Sequence, residues 1–341
     1  MIDTLLINCY TFLKKGGFTV DSTQMWSILL HFGSNMWRKK GALNSEYKDE
    51  EESIYRDFFY TDWETWQKVT EFLPSCGINT VLIDMGEGVC YDSHPELAVR
   101  GSWSKAAFRQ ELNRLRGLGL TPLPKCNFSA GHNAWMKDHA YTVGTDHYNE
   151  VCCDLISEII DLFDTPAFFH LGLEEEDYPS QRSQPVAFVR PPYKKTADAL
   201  VLFDACRRKG VRPWIWVDPE TIAGFGGEEA FRANIPKDVL LSNWYYGIIK
   251  DSKDVCQTNE NAALYQKIGQ WGYEQVPTVS TWSWYLNAKQ TLRFCRRHVQ
   301  PDSIRGYMTA PWLFTVPNNY YGLLNDAFVF GNAKKDIFGE V

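Results

Sequence analysis

At residues 170–177 the chain runs His-Leu-Gly-Leu-Glu-Glu-Glu-Asp, directly after the apolar stretch Ala167-Phe168-Phe169. A short apolar run predicts a buried strand. Four consecutive carboxylates just past its end repel one another, which raises some of their pKa values. A carboxylic acid that keeps its proton near neutral pH is the group that general acid catalysis requires. The same pattern also fits a solvated acidic loop, so the elements around it have to decide.

Eight apolar runs punctuate the chain, at 26–32, 80–85, 121–126, 167–172, 212–217, 239–242, 277–281 and 304–309. Between them lie segments of helical periodicity: 63–73 behind the cap Thr61-Asp62, 104–118 closed by Gly119, 148–163, 196–209 closed by Gly210, 261–271 closed by Gly272, 287–298 and 320–330. Strands alternating with helices predict parallel pairing through helical crossovers. Eight units in 341 residues point to an α/β fold, a (β/α)8 TIM barrel forming one domain over 1–341, with barrel strands between about 26 and 312. Gly-x-Gly-x-x-Gly is absent, which weakens a dinucleotide-binding sheet. The charge run Lys48–Glu52 falls in the first strand–helix connection and is expected to be a solvated loop.

In such barrels the chemistry sits at the C-terminal strand ends. Those ends carry His31, Asn35 and Trp37; Asp84, Glu87 and Tyr91; Lys125, Asn127, His132 and Trp135; His170, Glu174, Glu175, Glu176 and Asp177; Trp216 and Asp218; Asn243, Trp244 and Tyr245; Trp282, Trp284 and Tyr285; and Trp312. Carboxylates walled by indole and phenol rings suit a sugar: the C–H faces of the ring stack on aromatic surface. Paired carboxylates also supply the acid, base or nucleophile of glycosyl transfer.

Composition narrows the partners. Net charge is −7, hydrophobic residues make up 44% and charged residues 23%. No basic face is available for nucleic acid, and no apolar run reaches the ~20 residues of a membrane span. The first ten residues, with Leu5-Leu6-Ile7, lack a basic leader and a long apolar region, so they do not form a secretory signal. Nine scattered cysteines without metal-ligand spacing suggest reduced thiols, hence a cytoplasmic location unless the chain is a trimmed piece.

These residues resemble the family 20 glycoside hydrolases, the β-N-acetylhexosaminidases. The family's His-x-Gly-Gly-Asp-Glu at the end of strand four is matched by His170-Leu171-Gly172-Leu173-Glu174-Glu175. Its Pro-Glu-Ile-Asp-x-Pro-Gly-His is matched by Pro124-Lys125-Cys126-Asn127-Phe128-Ser129-Ala130-Gly131-His132, with one extra residue. Its Trp-x-Asp segment resembles Trp216-Val217-Asp218, and Trp244 and Trp282 resemble its later pocket tryptophans. The likeness runs over roughly 70 to 315. It implies a barrel hydrolase with Glu175 as general acid/base and Glu174 in place of the aspartate that orients the 2-acetamido group. His170 positions the acid. Asp218, Trp216, Trp244, Trp282, Trp312, His132, Asn127 and Tyr245 hold the sugar.

The departures are Glu174 for Asp, Leu173 for the second Gly, and Lys125 and Asn127 for the acidic pair of strand three. Successive strand residues face opposite ways, so a shifted register would make Glu174 or Glu176 the acid. The expected partner is a carbohydrate, with no cofactor, no metal, no nucleic acid and no membrane. Two other readings stay open: a sugar-binding barrel without turnover, and a metal-dependent isomerase or hydrolase using His31, His170, Glu174 and Asp218.

Overall fold

The structure, a computed structural model, describes residues 24–40, 54–182, 184–249 and 259–339. The N-terminal apolar patch and the Lys48–Glu52 run lie outside the described residues. In chain order the strands and helices are β1 Met25–His31, α1 Trp63–Phe72, β2 Thr80–Asp84, α2 Lys105–Gly117, β3 Thr121–Lys125, α3 Asp146–Leu162, β4 Phe168–His170, α4 Tyr178–Gln181, α5 Pro192–Arg208, β5 Arg212–Val217, α6 Pro219–Gly224, α7 Glu228–Asn234, β6 Leu240–Asn243, α8 Glu260–Gln270, β7 Thr278–Val279, α9 Asn287–His298, β8 Gly306–Thr309 and α10 Tyr320–Phe338. All pairings are parallel, in the order β6-β5-β4-β3-β2-β1-β8-β7. The single bridges Leu241↔Gln275 and Trp244↔Thr278 join β6 to the β7 side and close the ring. This is the expected (β/α)8 barrel.

The element ends are set by local chemistry. Asp62, Ser104, Thr145 and Asn259 each cap a helix by accepting a backbone N–H three residues on. The apolar periodicity missed the helical segment between β5 and β6, where α6 and α7 are short and broken by Phe225-Gly226-Gly227. Five of the strands are shorter than their apolar runs, and β7 keeps two residues of the expected five. Among the described residues no helix is long and apolar enough to cross a membrane.

Strand parity divides the core in two. Ile28, Leu30, Val81, Ile83, Phe169, Ile215 and Val217 pack outward against the helices. Leu29, Leu82, Leu123, Phe168, Trp214, Leu240 and Met308 fill the barrel. One step above that inner layer the filling turns polar. His31, Asp84, Lys125 and His170 end β1 to β4 in register. Lys125 Nζ donates to Asp84 Oδ2 at 2.6 Å, and His31 Nδ1 lies 3.4 Å from the same oxygen. Burial raises the Asp84 carboxyl, but the Lys125 and His31 partners outweigh this and hold it well below the usual carboxylate range. Glu87, also buried, accepts from the Ser34 and Asn35 amides and so fixes the loop after β1.

Removing one partner of a buried pair leaves an uncompensated charge. Lys125→Met should therefore lower stability by about 3–5 kcal/mol in urea denaturation. The depressed folded pKa of Asp84 makes a contribution present above the ordinary value of about 3.9 and lost as pH falls below it toward the folded value. The acid limb of the wild-type stability curve should be flatter in the variant, and an unchanged limb would refute the pairing.

Candidate functional site

The chain leaves β4 immediately after His170, and the carboxylate run lies in irregular backbone. Gly172, Leu173 and Glu175 adopt positive φ of 75°, 74° and 49°. Only glycine takes this region without strain. A Cβ on Gly172 would sit 2.3 Å from Asn127 Oδ1, so the loop after β3 presses against this turn. A Cβ on Gly131 would meet the Glu175 carbonyl oxygen at 2.5 Å. These two glycines let the β3 and β4 loops touch. The twisted backbone also settles the parity question: Glu174 and Glu175 both approach His132, although they are adjacent.

His132 stands between them. Its Nδ1 is 3.2 Å from Glu174 Oε1 and its Nε2 is 3.1 Å from Glu175 Oε2. Asn127 Nδ2 donates to the same Glu174 oxygen at 2.6 Å. Burial would lower the imidazole, but the two glutamates outweigh it and push its pKa up to about 10. His132 is therefore an imidazolium at neutral pH. Burial raises Glu175, yet the hydrogen bond and charge of His132 take it below its ordinary value. For Glu175 this is opposite to the rise expected from crowding: a cation from the β3 loop offsets the repulsion.

The two glutamates are not equivalent. Glu174 is buried and its Oε2 has no hydrogen-bond partner. The Glu175 side chain is 35% exposed. Glu176 points elsewhere: Arg190 Nη2 lies 2.7 Å from its Oε1, Lys195 Nζ lies 3.7 Å from its Oε2, and the Ala130 amide donates to it. A carboxylate clamped in that way anchors the loop. Asp177 caps α4 through the Ser180 amide.

His170 does not serve the acid as expected. Its Nδ1 accepts from the Gly172 amide at 3.1 Å, its Nε2 is buried without a partner, and its ring packs on Trp214 and Trp216 at 5.0 and 4.5 Å. Burial, then the charge of Lys125, lowers its pKa well below the ordinary value, so it is neutral. The imidazole that reaches Glu175 is His132.

The aromatic wall is partly the expected one. Trp216 meets Trp312 at 5.9 Å, and Trp312 reaches His31 at 5.9 Å and Trp37 at 6.5 Å. Trp312 Nε1 donates to the Tyr246 hydroxyl at 2.9 Å, and Tyr246 stacks on Trp244 at 5.4 Å. The expected Tyr245 instead packs against the helix-side core. Beyond β6 the period of two continues, so Ser242, Trp244 and Tyr246 share the inner side. Counting by twos from Ser242 would have selected Tyr246. Trp282 is 67% exposed on the bend after β7. Trp37 was visible at the first strand end but was not chosen for the site. Asp218 ends β5 and caps α6 through the Thr221 amide. Burial raises its carboxyl, the Thr221 hydrogen bonds oppose this, and the charges of Glu175 and Glu174 add to the rise.

As for a metal at this mouth, Lys125 and His31 hold Asp84 below, while His170 is enclosed by indoles. Among the described residues His31, His170, Glu174 and Asp218 do not form a group with metal-holding geometry.

No protein-family model matches the chain, and no curated protein matches it. Solved structures do. A β-N-acetylhexosaminidase from Bacteroides fragilis is 13% identical over 89% of this chain and 66% of its own, with a TM-score of 0.57. A Streptomyces plicatus β-hexosaminidase variant bound to its product GlcNAc is 13% identical over 91% of this chain and 63% of its own, also at 0.57. The pneumococcal virulence factor StrH, in a structure concerned with N-glycan recognition and hydrolysis, is 13% identical over 92% and 84%, at 0.60. The chain spans slightly less than two thirds of the first two. The fold is thus the barrel that these structures share.

The His132 bridge has a signature. Its imidazole 15N resonances should show a doubly protonated ring at about pH 5 to 8 and titrate near 10, with His170 neutral throughout. A pKa raised above the ordinary ~6.5 stabilises fully below that value and less as pH rises through the folded one. The urea midpoint should therefore drop between about pH 7 and 10, and drop less in His132→Gln. A ring that titrates near 6.5 would refute the bridge.

Proposed function

We propose that this chain is a glycoside hydrolase acting on a β-linked N-acetylhexosamine or a closely related sugar, with Glu175 as general acid/base. The observation that carries the reading is the asymmetric pair: one imidazolium holds two glutamates, one buried with an oxygen left to accept and one opening to solvent. The barrel's likeness to structures described as β-hexosaminidases supports it, as does the indole and phenol wall.

In this reading Glu175 gives its proton to the leaving oxygen as the bond from that oxygen to the anomeric carbon breaks. Glu174 Oε2 accepts the N–H of the 2-acetamido group and aims its carbonyl oxygen at the anomeric carbon, the substrate-assisted route. Glu175, now a carboxylate, then takes a proton from the water that attacks the same carbon. Tyr246 accepts from Trp312 and keeps its own O–H to donate. Trp216, Trp244 and Trp312 wall the ring, and Asp218 accepts sugar hydroxyls. Here Asn127 and His132 are positioning residues, and the longer Glu174 is reached because both meet its carboxylate.

One observation favours a second reading, a sugar-binding barrel without turnover: His132 leaves Glu175 ionised at neutral pH, without the proton a general acid needs.

Hydrolysis of aryl β-N-acetylglucosaminide and β-N-acetylgalactosaminide decides between them. Glu175→Gln should lower kcat by about 10²–10⁴-fold. Because the acid must be protonated and its pKa is depressed, kcat/KM should begin to fall with rising pH already below the ordinary carboxylate pKa. His132→Asn should shift that limb upward. Glycan binding with no product at any pH would establish the second reading.

A further inference from the structure

Three of the chain's seven histidines, His94, His139 and His147, gather at one place outside the carboxylate cluster. His94 precedes, and Glu96 lies within, the single turn Pro95–Leu97 in the loop after β2. His139 comes from the 3-10 segment Ala134–Tyr141 in the loop after β3, and His147 and Asp154 come from α3. His94 Nδ1 and His139 Nε2 lie 3.0 and 2.9 Å from one oxygen, Glu96 Oε1. One ligand atom from each of the three falls within 4.8 Å of the others.

We infer that His94, Glu96 and His139 form a binding site for a divalent transition ion of the zinc class. Two imidazole nitrogens and one carboxylate oxygen are a donor set for zinc and its neighbours rather than for calcium or magnesium, which take oxygen ligands. At zinc–ligand bonds of 2.0–2.1 Å, tetrahedral ligand atoms stand roughly 3.3 Å apart. The 2.9 and 3.0 Å separations from Glu96 need only a few tenths of an ångström of opening, which the half-exposed Glu96 is placed to give, and the ligand nitrogens of the two rings lie within 4.8 Å of each other. Three protein ligands leave a fourth position for water.

The second nitrogen of each ring distinguishes this cluster from an incidental surface network. His139 Nδ1 lies 3.1 Å from His147 Nε2, and His94 Nε2, buried without a hydrogen-bond partner, faces the Asp154 carboxylate at 3.5 Å. Ligating histidines are oriented by a partner on the far nitrogen, and Asp154 is placed to become that partner for His94. The loops are also preassembled: Lys137, at φ 51°, donates to the Glu96 and Ala98 carbonyls at 2.5 and 2.6 Å. An ion here would staple the β2 loop to the β3 loop, the one that carries Asn127 and His132. The site does not depend on the proposed hydrolysis.

The test uses the full chain, stripped with a chelator and titrated with Zn²⁺ by calorimetry. One equivalent should bind. His94→Ala and His139→Ala should each weaken it by more than about 100-fold, and His147→Ala or Asp154→Asn by about 10–100-fold. His94→Gln and His139→Gln, checked for fold by circular dichroism, guard against a folding defect. Co²⁺ should give tetrahedral d–d bands without thiolate charge transfer, which separates this site from the free cysteines. No binding, wild-type affinity in the His94 and His139 variants, or thiolate bands would overturn the inference.

Discussion

Everything at the mouth of this barrel depends on one cation placed between two anions. Adjacent glutamates in a partly buried turn repel, and burial makes their ionisation costlier still. His132 removes both problems by holding a proton that its ordinary pKa would surrender at neutral pH. It arrives from a different loop, so the interaction is also a tertiary contact. The β4 turn can stay twisted because the β3 loop holds it, and the β3 loop can come that close because Gly131 and Gly172 have no side chains in the way. Asn127 completes the arrangement by using one oxygen of Glu174 and leaving the other.

The barrel was largely legible in the sequence, because parallel strands buried on both faces leave continuous apolar runs. Seven of its helical segments carried periodicity over eleven residues or more. The α6–α7 segment did not, being cut by two glycines, and β7 is shorter than its run because Pro277, Ser280 and Thr281 lie outside its hydrogen-bonded part. The site was legible as a set of residue types and less so as a set of contacts. Asn127, Glu174, Glu175 and His132 come together as a group, and the indoles of Trp216, Trp244 and Trp312 join through Tyr246. Which histidine touches which carboxylate is set by a backbone turn at positive φ, and periodicity carries no signal for that. So His170 turns to the Gly172 amide while His132 reaches Glu175, and Tyr246, not the expected Tyr245, joins the indoles.

Half of the described non-glycine residues at positive φ lie where the chemistry is proposed. Leu173, Glu175 and Trp312 all hold positive φ without being glycine, at an expected cost of about 1–3 kcal/mol each. Surrounding packing has to impose such conformations. Leu173 is buried in the helix-side core, and Glu176 is locked by Arg190, so the strained Glu174–Glu175 pair is held from both sides. Leu173 keeps a backbone conformation that glycine favours.

The ring of strands is not uniformly strong. β1 and β2 share five register pairs, whereas β7 meets β8 through two and reaches β6 through single bridges. Cooperative opening follows the fewest lost contacts, so the barrel has a built-in seam beside β7. An opening there would part the Trp244↔Thr278 bridge first, on the aromatic side of the mouth and away from the buried Lys125–Asp84 pair.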